Sequence, residues 1–175
     1  MSHKVIKQSE LKKSTVVWTL IAMFVALSVL GAAVKVPFIL TSVSLDSTAA
    51  LIAGGIMGPG IGAAVGLFGH LASSFFGGLP LGPFHIVIAA EMAVLVYIFS
   101  SLYKKGWHKI SVVFFILGNA ILAPLPFWFL ISPAFYAGMV PALLIASSIN
   151  ALLSFFALTR LKKAGIEEKI WKERI

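Results

Sequence analysis

Residues 101–111, SLYKKGWHKIS, decide the fold, because they form a short basic break between two long apolar runs. The run before the break covers about residues 84–103, and the run after it covers about residues 110–130. Each run is close to the ~20 residues that an α-helix needs to cross a lipid bilayer. Two such runs joined by Lys104, Lys105 and Lys109 predict two membrane-spanning helices with a cytoplasmic loop between them.

The rest of the chain repeats this pattern. Further apolar runs cover about residues 16–34, 46–57, 61–76 and 141–159, of which the second is too short to cross a bilayer without tilt. The 175 residues are 59% hydrophobic and 11% charged, with a mean hydropathy of +1.01, so the chain would not stay dissolved as a globule. The predicted fold class is an all-α membrane protein, one integral membrane domain over residues 1–175 with six transmembrane helices in a bundle.

The basic residues predict the orientation of these helices. Thirteen of the 14 Lys and Arg residues lie before the first run, in the central break or after the last run. Short segments rich in Lys and Arg stay in the cytoplasm, and an even number of helices puts all three places on that side. We therefore expect cytoplasmic tails over residues 1–15 and 160–175 in a multi-pass protein of the cell membrane. Lys35 alone falls on the outer side.

The charge distribution and the absence of certain residues and motifs disfavour several classes of function. The net charge is +8, but the basic residues flank apolar runs instead of forming a patch with aromatic residues, so we expect no nucleic-acid partner. The absence of cysteine excludes disulfides, Cys-ligated zinc and a thiol nucleophile. The sequence also lacks a Walker loop and the Gly-x-Ser-x-Gly and His-Glu-x-x-His motifs. We expect no metal, no cofactor and no ATP site within this chain.

Four ionisable residues fall in or beside the outer parts of the predicted helices, where such groups by default indicate function. Asp46 opens the second helix, and capping that helix is an equal alternative to binding a ligand. Glu91 lies about a third of the way down the fourth helix, where pairing with a polar neighbour is the alternative. His70 and His85 lie at similar outer depth on the third and fourth helices. We predict that all four contact a substrate.

Two further groups complete the predicted substrate site. Asn119 and Asn150 lie near mid-membrane, where hydrogen bonding between helices explains each as well as a site does. Aromatic residues gather around a last outer loop that we expect to begin at Ser132-Pro133, after Pro124 and Pro126 bend the fifth helix. They form either an anchoring belt at the membrane interface or the wall of a pocket for a flat ring. The aromatic candidates are Phe84, Trp128, Phe135 and Tyr136.

Small residues at helical spacing predict close helix contacts. Ala22 and Ala26 are four residues apart on the first helix, a spacing that lets a neighbouring helix approach, either a partner protein's or one of this bundle's. Gly58, Gly62 and Gly66 lead to His70 in the same i, i+4 series on the third helix. We expect this glycine series to pack within the chain and to carry His70 on an inward face.

These features together resemble the S components, the substrate-binding membrane subunits of energy-coupling factor (ECF) vitamin transporters. The resemblance covers almost the whole chain, and its most specific parts are the alanine pair in AMFVA, residues 22–26, and the segment from LDS, residues 45–47, to AGGIMGPGIG, residues 53–62. In that segment an acidic residue opens the second helix, and a Gly-Pro turn leads into a Gly-rich third helix. The resemblance implies that the chain is no enzyme.

The resemblance also implies a mode of action. Members bind a vitamin or precursor near the outer surface, under lid loops that correspond here to residues 35–44, with Lys35, and 77–83, with Gly78, Pro80 and Gly82. Their helix-one alanines, here Ala22 and Ala26, contact a transmembrane T component that is coupled to two cytoplasmic ATPase subunits. Transport is expected to involve tipping of the S component in the membrane.

The identity of the ligand is a further step. The segment PLGPFH, residues 80–85, with EMA, residues 91–93, is similar to S components assigned to α-ribazole, a cobalamin precursor. His70 stands where many relatives have an aspartate, so riboflavin, folate, thiamine precursors and pantothenate remain open. The alternatives to transport are a structural membrane subunit and a small intramembrane enzyme that uses His70, His85 and Glu91. Helical phase disfavours the enzyme, because His85 and Glu91 lie about 240° apart on one helix.

Overall fold

Helices form where the apolar runs predict them. The computed structural model describes residues 2–37, 42–166 and 168. Within this part of the chain, five helices are long and apolar enough to cross a membrane, and a sixth, shorter apolar helix lies among them, which confirms the all-α membrane fold. The helices are α1 (Ser2–Ala33), α2 (Ser47–Met57), α3 (Pro59–Phe76), α4 (Phe84–Lys104), α5 (His108–Leu117), α6 (Leu125–Leu130) and α7 (Pro133–Lys163), with a π-helix (Gly118–Leu122) between α5 and α6.

One predicted boundary is wrong. The last helix begins at Pro133 and not near residue 141, so the segment after Ser132 is helix and not loop. Ser132 caps this helix by accepting a hydrogen bond from the Phe135 backbone N–H, and Pro133 suits the first turn because its missing N–H is not needed there. The first apolar span, Ser14–Ala33, lies where the sequence predicts it, and helix α1 extends before it to Ser2.

The fifth segment is not one continuous helix. After α5, the Ala123 N–H bonds the Gly118 carbonyl five residues back, which gives the π-helix, and the chain then turns at 123–124 before α6. Pro124 and Pro126 lack the N–H groups that would continue the ladder. The regular α-helical hydrogen bonds are therefore interrupted near these prolines, within one apolar span over His108–Leu130.

Glycines bring α2, α3 and α4 into close contact, as the i, i+4 series predicts. A Cβ atom on Gly62 would lie 2.5 Å from the Cα of Gly54, and one on Gly66 would lie 3.2 Å from the Met92 carbonyl oxygen. The turn between α2 and α3 is made by Gly58, whose φ of +103° favours glycine. This packing places the C-terminal end of α3 and the N-terminal end of α4 beside the start of α2.

A short antiparallel hairpin precedes α2. Strand β1 (Lys35–Pro37) pairs with β2 (Ser42–Ser44), with Val36 opposite Val43. The chain after β2 lies against α1, because a Cβ atom on Gly31 would be 2.5 Å from the Leu45 carbonyl oxygen. The centre of the first predicted lid, residues 38–41, lies outside the described residues, as do the Lys35 side chain and residues 167 and 169–175 of the predicted tail.

Candidate functional site

Three of the predicted site residues are in direct contact. His70 of α3 places its Nδ1 atom 3.3 Å from Oδ2 of Asp46, which lies just before α2. Its other ring nitrogen, Nε2, lies 3.2 Å from Nδ1 of His85 in the first turn of α4. Asp46 and His85 are buried. The sequence predicted these residues at similar depth, and the glycine contacts between α2, α3 and α4 bring them together.

The hydrogen bonds of these residues run in one direction. The Leu81 backbone N–H donates to Nε2 of His85 at 3.4 Å, so that nitrogen is the acceptor of its ring. In a neutral imidazole the proton is then on Nδ1, which donates to Nε2 of His70. The His70 proton is in turn on Nδ1 and points to the Asp46 carboxylate. We call this series the Leu81–Asp46 chain, and it connects the loop of residues 77–83 to the start of α2.

Serine hydroxyls complete the surroundings of Asp46. Ser73 Oγ donates to Oδ2 at 2.9 Å, and Ser47 Oγ donates to Oδ1 at 3.2 Å. The Asp46 side chain makes no capping bond to α2, so the helix-cap alternative is wrong. Sequence reasoning missed Ser73, although it lies three residues after His70 and therefore on the same face of α3.

Asn150 of α7 caps α2 instead. Its Oδ1 accepts from the Thr48 backbone N–H at 2.8 Å and from Thr48 Oγ1 at 2.7 Å. Its Nδ2 donates to the Ser44 carbonyl at 3.2 Å and to the Ala146 carbonyl at 2.9 Å. All four hydrogen-bonding positions of this amide are filled within the chain. Asn150 therefore positions β2 and the start of α2, and its predicted contact with a substrate stays a prediction.

Asn119 also bonds across helices. Its Nδ2 donates to Ser147 Oγ at 2.8 Å, which connects the π-helix to α7. The interhelical alternative of the sequence analysis is thus observed for Asn119, and its role toward a ligand stays a prediction.

The aromatic candidates form two contacting groups that involve α6 and the N-terminal ends of α4 and α7. Phe127, buried and not among the predicted site residues, lies between Phe84 and Phe135, with ring centroids 5.6 and 6.3 Å away. Trp128 packs against Tyr136 at 5.4 Å, and the Tyr136 hydroxyl donates to the Ile121 carbonyl at 3.3 Å. Edge-to-face contacts of this kind are typical of a hydrophobic wall.

Glu91 belongs to the aromatic side of α4 and not to the His85 side. Phe84, Ile88, Glu91 and Leu95 follow one another at helical spacing along one face. Phe84 at the top of this face contacts Phe127, and Leu95 at the bottom lies against Gly118 of the π-helix. Among the described residues, no group hydrogen-bonds the buried Oε2 atom of Glu91.

The geometry contains no metal centre in the described part of the chain, since no three His, Asp or Glu side chains there are arranged to hold an ion. Comparison with known families gives a direct result: the model of the family described as "ECF transporter, substrate-specific component" matches residues 17–167. The chain belongs to the ECF transporter S components. Comparison with curated proteins gave no match.

Family membership fixes the coarse function. S components are substrate-binding transport subunits of the cell membrane and not enzymes, and they work with a T component and ATPases on a small-molecule substrate. Family membership therefore favours transport over the two alternatives of the sequence analysis, which were an intramembrane enzyme and a structural subunit.

Helix α1 of this S component has an unpacked face. Only 11% of its span Ser14–Ala33 is buried, against 33–39% in the other spanning helices. Ala22 and Ala26 are both exposed on the outside of the bundle, so the alternative that they pack within this chain is wrong. Their contact with a T component stays a prediction.

The loop of residues 77–83, the second predicted lid, is shaped by glycines and contacts His85. Gly78 and Gly82 adopt φ angles of +85° and +56°, in the left-handed region that glycine favours. Pro80 is exposed between them, and Leu81 supplies the N–H that bonds His85. The loop is thus joined to the His85 ring by the Leu81 N–H and to the ends of α3 and α4 by backbone hydrogen bonds.

A narrow cleft lies below the Leu81–Asp46 chain, between α1, α2, α3 and α4. Ser28 of α1 faces this cleft, is 1% exposed, and its hydroxyl has no hydrogen-bond partner among the described residues. Sequence reasoning missed Ser28, because one hydroxyl in an apolar helix forms no pattern. The lining residues are Ser28, Asp46, Ser47, Ala50, Val65, Gly66, His70 and Met92.

Proposed function

We propose that this S component captures a heteroaromatic vitamin or vitamin precursor, with α-ribazole as the first candidate, at an outward-facing site for ATP-driven uptake. The observation that carries the proposal is the aromatic wall of Phe84, Phe127 and Phe135 at one end of the α4 face that also carries Glu91, whose buried Oε2 atom has no hydrogen-bond partner among the described residues. A flat ring is stabilised by stacking and by burial against such a wall, and a buried unpaired acceptor favours a ligand that carries a hydrogen-bond donor.

The loop of residues 77–83 supports access to this site from outside. Phe84 and His85 follow the loop directly, one on the aromatic side of α4 and the other in the Leu81–Asp46 chain. Movement of the loop therefore shifts both groups at once. Glycine-flanked loops of this kind act as lids in many ligand-binding sites.

Ligand titration tests the proposal. Purified protein is titrated with α-ribazole, riboflavin, thiamine and pantothenate while tryptophan fluorescence is followed, because Trp128 lies within the aromatic cluster. We expect saturable quenching by a ring compound that Trp128→Phe removes and that Trp107→Phe, in the loop between α4 and α5, leaves in place. Saturable binding of pantothenate, which has no ring, with no binding of the ring compounds would contradict the proposal.

We further propose that the T component docks on the exposed face of α1 that carries Ala22 and Ala26. This face is free in the described bundle, and small residues allow the close backbone approach on which helix association in lipid depends.

A further inference from the structure

The charges of the described side chains are separated between the two ends of the bundle. At the end with the loop of residues 77–83, the carboxylates are Asp46 and Glu91. The described Lys and Arg side chains all lie at the opposite end, beside the α4–α5 loop or in the last turn of α7: Lys104, Lys105, Lys109, Arg160, Lys162 and Lys163. No cation among these side chains faces a ligand at the site.

The two carboxylates differ in the hydrogen bonds that they accept. Asp46 is bonded by His70, Ser73 and Ser47, whereas Glu91 keeps Oε2 buried without a donor from the described residues. An unpaired carboxylate away from water is unfavourable until a hydrogen bond or a positive charge reaches it. Glu91 is thus the acidic group of the site that is free for a ligand.

The spacing on α4 gives the length of that ligand. Phe84 and Glu91 are seven residues apart on one helix face, which corresponds to about 10 Å along the axis. A ring against Phe84 and Phe127 reaches Glu91 only if it is joined to a donor-bearing group of about that length. Two fused rings with a sugar or a similar polar arm have this size.

We propose that the substrate is a ring compound whose polar arm presents hydroxyl, amino or cationic donors to Glu91 and that carries no carboxylate or phosphate. The proposal deepens the proposed function and rests on it. A carboxylate or phosphate on the arm would bring no hydrogen-bond donor to the Glu91 carboxyl group and would repel it when Glu91 is ionised, with no described Lys or Arg side chain nearby to offset the repulsion.

A pair of ligands that differ only in charge tests the inference. Wild-type protein is titrated with α-ribazole and with its 5′-phosphate; if thiamine binds instead, thiamine and thiamine monophosphate form the pair. We expect the unphosphorylated member to bind at least about tenfold more tightly, because its hydroxyl group donates a hydrogen bond to Glu91, whereas the phosphate group of the other member is repelled. Equal or tighter binding of the phosphate would overturn the inference while leaving the proposed function intact.

Variants identify the residue responsible. Glu91→Gln keeps the size and one acceptor oxygen but removes the charge, so we expect about tenfold weaker binding of the unphosphorylated ligand and a smaller preference over the phosphate. Glu168→Gln, the same change beyond α7, should alter neither. Unchanged affinities in Glu91→Gln, or phosphate binding that is lost in Lys35→Gln, would overturn the inference. If no ring compound binds the wild-type protein at all, the proposed function itself fails.

Discussion

A hydrogen bond between two histidines needs a ring nitrogen without a proton on the accepting ring. In the Leu81–Asp46 chain its direction is set from outside, because the Leu81 N–H occupies Nε2 of His85 and leaves the proton of the neutral His85 ring on Nδ1. Every later donor follows from this first one, and the Asp46 carboxylate accepts the last. Removing the Leu81 donor would therefore alter the hydrogen bond at Asp46, 35 residues away in sequence.

Replacing His85 should show this coupling. His85 is a predicted polar contact of the ligand, and a buried ligand group left without its partner costs about 1–3 kcal/mol, so we expect ligand affinity of His85→Ala to fall about tenfold or more. Asp46→Ala should have an effect of similar size. Titration by tryptophan fluorescence measures both, with His108→Ala at the start of α5 as the matched control. Wild-type affinity in His85→Ala and Asp46→Ala would mean that the Leu81–Asp46 chain of hydrogen bonds only holds the helices together and does not contact the ligand.

At this scale the sequence predicted the ionisable residues but not their partners. Asp46, His70 and His85 are conspicuous because charged and imidazole groups are rare in apolar helices. Ser73 and the Leu81 N–H bond to them, but a serine or a backbone amide has no distinguishing pattern in a sequence. The role of Asn150 was equally hidden, since its partner Thr48 lies 102 residues away.

Helix α2 is the element that depends most on its neighbours. It has 11 residues, nearly all buried, and Asn150 holds its first turn while Lys104 Nζ donates to the Ile56 carbonyl in its last turn at 3.0 Å. Short helices are marginal alone, because their end groups lack partners and nucleation is unfavourable. Lys104 of α4 and Asn150 of α7 supply the hydrogen-bond partners that the two ends of α2 lack.

Removing the cap on α2 should destabilise the protein. Asn150→Ala leaves the Thr48 N–H and the Ser44 carbonyl unpaired in the bundle, so we expect a loss of about 2 kcal/mol in the free energy of unfolding. Asn119→Ala, which removes one hydrogen bond to Ser147, should lose less. Thermal unfolding in detergent measures the difference. Full stability of Asn150→Ala together with lost ligand binding would identify Asn150 as a ligand contact instead.

The exposed face of α1 gives a prediction that separates binding from transport. Ala22→Leu or Ala26→Leu adds bulk where a partner helix must approach closely, so we expect uptake by cells to be lost. Ligand affinity of the isolated subunit should stay near that of the wild type, because these residues do not pack within the bundle. Ala90→Leu, at an exposed alanine on α4, is the control and should retain uptake. Normal uptake in both α1 variants would place the T component elsewhere.

Element types were predictable, whereas some of their ends were not. Hydropathy identifies α4 at Phe84–Lys104 almost to the residue, because charged and breaker residues mark both ends. The start of α7 was missed because Pro141 reads as a helix start, although a single proline is tolerated inside a membrane helix. The correct signal was Ser132-Pro133, a cap followed by proline in the first turn.

For the whole molecule, the predicted orientation rests on the thirteen-to-one distribution of basic residues. Since the chain has no cysteine, single cysteines at Ser2, Trp107 and Ile175 report on their surroundings without interference. We expect all three to resist a membrane-impermeant thiol reagent in intact cells, and Gly78→Cys in the opposite loop to react. Labelling of any of the first three would refute the orientation.

The break in the fifth segment has a consequence for entry of a ligand. Helix α6 has six residues and lies between the turn at 123–124 and the residues 131–132 before α7. Its contact with α4 includes the meeting of two phenyl rings, Phe127 and Phe84. On the α7 side, the Ile131 and Ser132 N–H groups still bond to the Phe127 carbonyl, whereas Pro124 and Pro126 offer no N–H group on the α5 side. Helix α6 is therefore held mainly from the α7 side, and a ligand that entered beside Phe84 would meet a ring whose position α7 sets.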